Sequence, residues 1–526
     1  MSLGTMHEDD QDLAALGYRQ ELTRTFGSFT TFAVGFAFIS VLTGMFTLYG
    51  FAWSAGGPAS FWAWVAAVGG QFLFALVFAE LAVRYPLQGS LYNWTKHIAP
   101  SKGVSWMAGI SMTLALIVSA SAVALTMQLL LPFISSAFWI YGNGTGAHDA
   151  AINGVILGTI MIVLTTIITI LGAKARSIVN NLGVTVELVG VAVLVIVFLI
   201  HAHHGPQVVF HTNGTGHNYG TGYVGALLVA VLLGLFVMWG FDTAGSVGEE
   251  TLNPRKNCPT AIKRALLASG IGGGLLLLTA AMSIKDAHDP KVAGEGLSYV
   301  ILTAFGHTGG KIMIGCAAIA VFVCGLANQV GAMNMMFAMS RDNALPGAPS
   351  LARVSKRKVP VIPALIVAVL VIALMLLQIW QPALFVAFAS TSVLFALFAY
   401  LLLVWSSARL RRQGGWEQPD KRYFSLGRWG LPVSIAATVW AMVAIIDIAW
   451  PRNAIYNPAA PFHWYFKWAG VIVPVVLLTA SFCVYWFKQR DRIGILPEHA
   501  AGATPLAPAP TRPVKEPAAA LLDTAS

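Results

Sequence analysis

Long apolar runs separated by short polar stretches dominate the chain. A bilayer core about 30 Å thick takes about 20 apolar residues at 1.5 Å rise each. Twelve such windows with few charges occur, at about 29–53, 59–84, 104–133, 151–172, 177–202, 222–250, 261–284, 308–339, 361–380, 384–407, 428–449 and 466–488, and each predicts a membrane helix. Two windows are irregular. The first holds SVLTG at its middle, within TTFAVGFAFISVLTGMFTLYGFAW; the sixth holds WGFDTAG past its middle, within LLGLFVMWGFDTAGSVGEE. A lone glycine in a membrane helix often means only close packing. Two breaks five windows apart, one carrying Asp242, point instead to a site. If windows 1–5 and 6–10 are copies of one five-helix unit, an odd-numbered repeat inserts in opposite orientations, and unwound backbone is tolerated only where it lines a cavity.

Composition agrees. The chain has 526 residues, 57% hydrophobic and only 10% charged, with mean hydropathy +0.71, against about 25% charged in soluble domains. The net charge of +10 would suggest a nucleic-acid partner if it were not so ordered along the chain. Of the 32 Lys and Arg, 27 fall in alternate loops and the two terminal segments. By the positive-inside rule this side is cytoplasmic, so the basic charge reports topology and no nucleic acid is expected. The expectation is a multi-pass protein of the plasma (inner) membrane with both termini cytoplasmic. The first 28 residues are polar and lack the short apolar core of a cleavable signal. Residues 1–25 are read as an N-terminal segment, 26–490 as the membrane domain and 491–526 as a disordered tail rich in Ala and Pro after Gly502. Cys258 lies in a loop and Cys316, Cys324 and Cys483 in windows, so no disulfide framework is expected.

A carboxylate at membrane depth costs roughly 3 kcal/mol even on lenient scales, so Asp242 and Glu187, both inside windows, are expected to be paired or functional. Asp242 has two readings, as an N-cap for the helix that resumes after the break or as an acid acting on substrate or proton. Glu187 is a candidate to load and release a proton, or is neutralised by neighbouring helices. The eighth window has no Ser or Thr between Lys311 and Ser340, leaving Asn328, Gln329 and Asn334 as its side-chain oxygens, which argues against sodium. His201, His203 and His204 lack nearby Cys or carboxylate partners, so no metal or cofactor is expected. Asn143 and Asn213 begin N-G-T sequons, Glu80, Glu249 and Glu250 sit where pairing with basic residues is the default, and Asp447 is expected to reach an interface. No HExxH or GxSxG sequence occurs, and GHTGGKI lacks Walker A spacing, so neither an intramembrane enzyme nor a primary pump is supported.

ISVLTGMFTLYG, FAELAVRYPLQGSLYNW, GFDTAGSVGEETLNPRKNCPTAI and FAMSRDNALP together resemble the amino acid, polyamine and organocation (APC) permease superfamily, over about residues 20–490. The likeness is strongest to its bacterial amino-acid and GABA permeases and fungal GABA and choline transporters. The resemblance implies an all-α polytopic fold of twelve transmembrane helices. They would form a five-plus-five inverted repeat over about 29–202 and 222–407, followed by two extra helices at 428–488. It also implies a secondary transporter working by alternating access, its substrate carboxylate near Leu42, Thr43 and Gly44 and its amine near Ile39, Ser40, Phe236 and Trp239. Gly240 and Asp242 stand at the second break, Asn328 at a substrate-lining place, and Phe236 where the family closes an aromatic over the substrate. Glu187 stands where sodium-independent relatives often have Lys, which leaves the usual lysine mechanism open; Asn334 replaces a common Arg. Amino acids or GABA-like zwitterions, carried with protons or by exchange, are the expected substrates; choline or polyamines are the alternative. Monomer and homodimer both stay open.

Overall fold

The computed structural model describes Gln11 and residues 13–142, 146–381, 384–458 and 462–500. Asn143, residues 1–10 and the tail from Gly502 lie outside the described residues. Among those described the fold is helical, with two isolated β-bridges as its only extended pairing. The longer elements are α1 (Ser28–Ile39), α2 (Val41–Gly56), α3 (Phe61–Arg84), α4 (Ser90–Ile98), α5 (Lys102–Leu125), α6 (Ala147–Leu171) and α7 (Ala173–Ile200). There follow α8 (Tyr223–Val237), the single turn α9 (Thr243–Ser246), α10 (Pro254–Ser283), α11 (Leu297–Arg341), α12 (Val361–Trp380), α13 (Leu384–Arg412), α14 (Gly430–Ala449) and α15 (Ala469–Val484).

Ten helical segments among the described residues are long and apolar enough to cross a membrane, or eleven if the bent pair Pro206–Asn218 with Tyr223–Val237 counts as one span. The difference from twelve windows has two local causes. Ser28–Arg84 runs 57 residues as one segment, about 85 Å at helical rise, and contains breaks at Ser40 (φ 25°) and Gly57 (φ 60°). The sixth window is cut at Trp239, which leaves α8 only 15 residues long.

Packing places α13 against α5 and α14, α10 against α1 and α3, α11 against α5 and α7, and α8 against α2. The outer surface is apolar, as lipid requires. On α7 the exposed residues Leu182, Val189 and Ile196 recur every seven positions, while Arg176, Asn180, Gly183, Glu187 and Gly190 form the buried stripe. In α15 Gly470 alone is buried. Gly44 brings α2 onto α8: a Cβ there would run into the Val237 side chain.

One face of the bundle collects the basic residues, and its side chains lock the helix ends together. The Arg341 guanidinium donates to both oxygens of Glu249, at 2.7 and 2.9 Å, and both side chains are fully buried. Glu249 also accepts from the Gln88 N–H at 2.9 Å. Asp342 accepts from Tyr18 (2.7 Å), Tyr92 (2.9 Å) and Lys96 (2.7 Å). Burial, and then the Asp342 charge, push the Tyr18 phenol above its ordinary range, so it stays a donor. Arg176 pairs with Glu250 at 2.7 Å, and Arg411 with Glu80. The three glutamates are thus paired with arginines, as their positions suggested. Asp447, near the end of α14, is buried and held by Arg452 just beyond that helix.

Both terminal segments cross this face. Tyr18 bridges Ala500, Phe26 bridges Thr251, and the N–H groups of Gly494 and Leu496 bond the Asp342 and Arg341 carbonyls at 2.9 and 2.8 Å. Ordered packing therefore continues ten residues beyond position 490.

Breaking a buried pair by deleting one partner costs about 3–5 kcal/mol, whereas an exposed pair is worth about 0–1 kcal/mol. Arg341→Ala strands Glu249 and should lower the unfolding midpoint of the detergent-purified protein by several degrees. Asp420→Ala, which removes the exposed Arg422 pair, should leave it unchanged. Equal midpoints for the two variants would contradict this ranking.

Candidate functional site

The α1–α2 break is built around Ser40. Its positive φ of 25° ends α1, and its N–H still closes on the Phe36 carbonyl at 2.9 Å. The Ser40 hydroxyl then caps α2, accepting the Thr43 N–H at 3.3 Å and lying 2.6 Å from the Thr43 hydroxyl. It donates to Glu187 Oε1 at 2.9 Å, and the Leu42 N–H donates to the same oxygen at 3.1 Å. Glu187, almost wholly buried on α7, is therefore an anchor for the N-terminus of α2, where free N–H groups and the helix dipole favour negative charge. The Gly44 N–H closes on the Ser40 carbonyl at 3.1 Å. In this conformation the three donors expected to meet a substrate carboxylate, on Leu42, Thr43 and Gly44, are all internally partnered.

The α8–α9 break turns at Gly240, whose φ of 83° favours glycine and whose Cβ, if present, would run into Phe38. Its N–H donates to the Tyr400 hydroxyl of α13 at 2.9 Å, and that hydroxyl donates to Asp242 Oδ1 at 2.5 Å. Asp242 Oδ2 accepts from Ser90 of α4 at 3.2 Å. The capping reading of Asp242 is corrected here. It stands at the N-cap position of α9, but its side chain makes no cap hydrogen bond, because Tyr400 and Ser90 take both oxygens. The Tyr400 ring is wedged among Phe74, Phe78 and Phe241, with centroids 5.2, 4.8 and 5.8 Å away.

The breaks face each other. Phe38 and Trp239 meet edge to face at 4.9 Å, beside a small cavity of about 10 Å³ lined by Ile39, Ser40, Thr43, Gly44, Phe236 and Trp239. Ser119 of α5 and Cys324 of α11 complete its wall. That room is far below the ~300–1,000 Å³ of ligand pockets, so the walls must part before the cavity admits a ligand. A second cavity, about 30 Å³, lies among α1, α7, α9 and α11.

Six of the expected site residues thus line one cavity. Leu42 turns its N–H to Glu187, Gly240 and Asp242 stand behind the second break, and Asn328 lies off the cavity, donating to the Cys324 carbonyl at 2.9 Å. Sequence reasoning missed Tyr400, Ser90 and Cys324. The signal for Tyr400 was its hydroxyl within the apolar run LFALFAYLLL, one of few polar groups able to reach a buried carboxylate.

A family model described as amino acid permease matches residues 26–477. The chain is 27% identical to the amino-acid permease BAT1 of Arabidopsis thaliana, over 85% of this chain and 91% of that protein. It is 27% identical to the BAT1 homolog of Oryza sativa subsp. japonica, over 84% and 87%. It is also 26% identical to the GABA-specific permease of Saccharomyces cerevisiae, over 92% and 85%.

Tyr400→Phe leaves the buried Gly240 N–H without an acceptor and removes a donor from Asp242. The expected cost is about 1–3 kcal/mol, read as a lower unfolding midpoint in detergent. Ser90→Ala, which loses one longer bond, should cost less; a larger loss for Ser90→Ala would contradict the bonding described.

Proposed function

We propose that this chain, which belongs to the amino acid permease family, carries amino acids or GABA-like zwitterions across the plasma membrane by alternating access. As a family member it is a transporter of amino acids rather than an enzyme, and a multi-pass membrane protein. The proposed architecture is twelve traversals: two inverted five-helix repeats beginning at α1–α2 and α8–α9, followed by α14 and α15. The basic face, with both termini, is proposed to be cytoplasmic.

The observation that carries the substrate reading is the cavity between the two breaks. On one side stands the N-terminus of α2 with Thr43 and Gly44; on the other, the end of α8 with Phe236 and Trp239. A helix N-terminus offers N–H donors to a carboxylate, and unwound carbonyls at Ile39, Ser40, Phe236 and Trp239 offer acceptors to an ammonium group. A zwitterion uses both ends, whereas choline or a polyamine would leave the donors without an anion, so organic cations are not favoured. Gly240 and Asp242 act behind the break, through Tyr400, and Asn328 supports the Cys324 wall.

The proposed coupling residue is Glu187, with Asp242 as a second acid. The Glu187 carboxylate accepts from Ser40 and Leu42; protonation removes negative charge from the α2 N-terminus and loosens the hold on the break. Proton loading would then accompany release of these donors to substrate, and uptake would rise as the outside becomes more acidic.

In proteoliposomes screened with labelled amino acids, GABA, choline and putrescine, an inward proton gradient should drive accumulation of at least one amino acid or GABA. Glu187→Gln should keep exchange of internal for external substrate but lose gradient-driven accumulation. Uptake of choline or putrescine alone would overturn the substrate reading. Full accumulation by Glu187→Gln would overturn the coupling.

A further inference from the structure

On the outer surface of the bundle a groove of about 580 Å³ runs between α13 and α14. Its lining changes character along its length. Trp405 of α13 and Ile435, Val439 and Met442 of α14 form an apolar part, and all four are exposed. The three residues of α14 recur at the i, i+4, i+7 spacing of one helix face. Arg409, Arg412 and Gln413 form a polar part. The Ser407 and Ser434 hydroxyls lie 3.2 Å apart, and a Cβ on Gly430 would run into the Arg411 guanidinium. The two helices therefore run antiparallel, with the arginine-rich end of α13 beside the start of α14 and the apolar part of the groove deeper along both.

The three arginines that end α13 divide between two environments. Arg411 turns inward, where Glu80 takes its charge and the Trp416 ring lies 3.7 Å away. Arg409 and Arg412 line the groove, and among the described residues neither has an ion pair or a side-chain hydrogen bond. The carboxylates of the connection between the helices are engaged elsewhere, Glu417 with Arg84 at 3.6 Å and Asp420 with Arg422 at 3.1 Å. A guanidinium matches phosphate oxygens two at a time. Two such groups without acidic partners, at the mouth of an apolar groove that faces the bilayer, complement an anionic head group carried on an acyl chain.

We infer that this groove binds an anionic phospholipid, its phosphate on Arg409 and Arg412 and an acyl chain along Trp405, Val439 and Met442. Trp405 lies seven residues, about 10 Å of helix, from Arg412, which carries the groove from the head-group layer into the hydrocarbon. A soluble phosphate would engage the arginines and leave the apolar part uncovered, whereas a lipid covers both. The inference needs only that the chain is a membrane protein, and it holds whichever substrate is carried.

Native mass spectrometry of the detergent-purified full chain, with dioleoyl phosphatidylglycerol or dioleoyl phosphatidylcholine added, tests it. Wild type should retain phosphatidylglycerol in preference to phosphatidylcholine. Arg409→Gln/Arg412→Gln should weaken phosphatidylglycerol binding about thirtyfold, the worth of two basic side chains at an anionic lipid surface. Arg353→Gln/Lys356→Gln, an equal loss of charge at exposed positions between α11 and α12, should leave binding unchanged. Arg409→Lys/Arg412→Lys should hold it within severalfold, and excess inorganic phosphate should not displace the lipid. Neither arginine leaves a partner stranded when replaced; if the double glutamine variant still fails to fold, Arg412→Gln alone should show a severalfold loss. Unchanged phosphatidylglycerol binding in the glutamine variants, equal losses in both charge-reduced double variants, or displacement by phosphate alone overturns the lipid site. So does a wild-type dimer that the glutamine variant loses, which would give the groove to a second copy of the chain.

Discussion

Backbone that unwinds inside a membrane must find its hydrogen-bond partners within the protein, because lipid offers none and each orphaned group costs several kcal/mol. This constraint organises the structure around its two breaks. At the first, Glu187 reaches from α7 to the Leu42 N–H and the Ser40 hydroxyl. At the second, Tyr400 reaches from α13 to accept the Gly240 N–H and donates its own O–H to Asp242. Acidic side chains at membrane depth, costly elsewhere, are the acceptors that make the breaks tolerable. The same groups then stand beside the cavity where a zwitterion's two ends would be met.

The site is also tied to the basic face through one short helix. Ser90, at the start of α4, bonds Asp242; Tyr92 and Lys96, on the same helix, bond Asp342; and the Gln88 N–H, just before it, bonds Glu249. Asp342 and Glu249 hold the terminal segments and Arg341. Hydrogen bonds through α4 thus connect the second break to the basic face.

Much of this was legible in the chain. The apolar windows located the helices, since burial in lipid imposes a length that composition records directly. SVLTG and WGFDTAG located the breaks, because serine, glycine and aspartate are local disturbances of an apolar helix. Partner identity was not legible. Asp242 could also be read as a cap, and only folding shows that Tyr400, 158 positions away, claims it. Glu187 was visible as a buried acid but not as the anchor of α2, and Asn328 lies off the cavity because its amide turns back to Cys324. Residues 491–500 carry no apolar periodicity, yet their backbone pairs with Arg341 and Asp342. Such pairings join positions far apart in sequence, where local pattern holds no information.

The central claim is that the two breaks jointly form the amino acid site. The most direct measurement is an electron cryomicroscopy map of the protein in lipid nanodiscs with a saturating amino acid that it carries. The account predicts density for one molecule between Ser40–Gly44 and Phe236–Trp239, its carboxylate on the Thr43 and Gly44 amides and its amine on the facing carbonyls. Density for the bound amino acid away from both breaks, with the Ser40 and Gly240 turns unchanged, would contradict it.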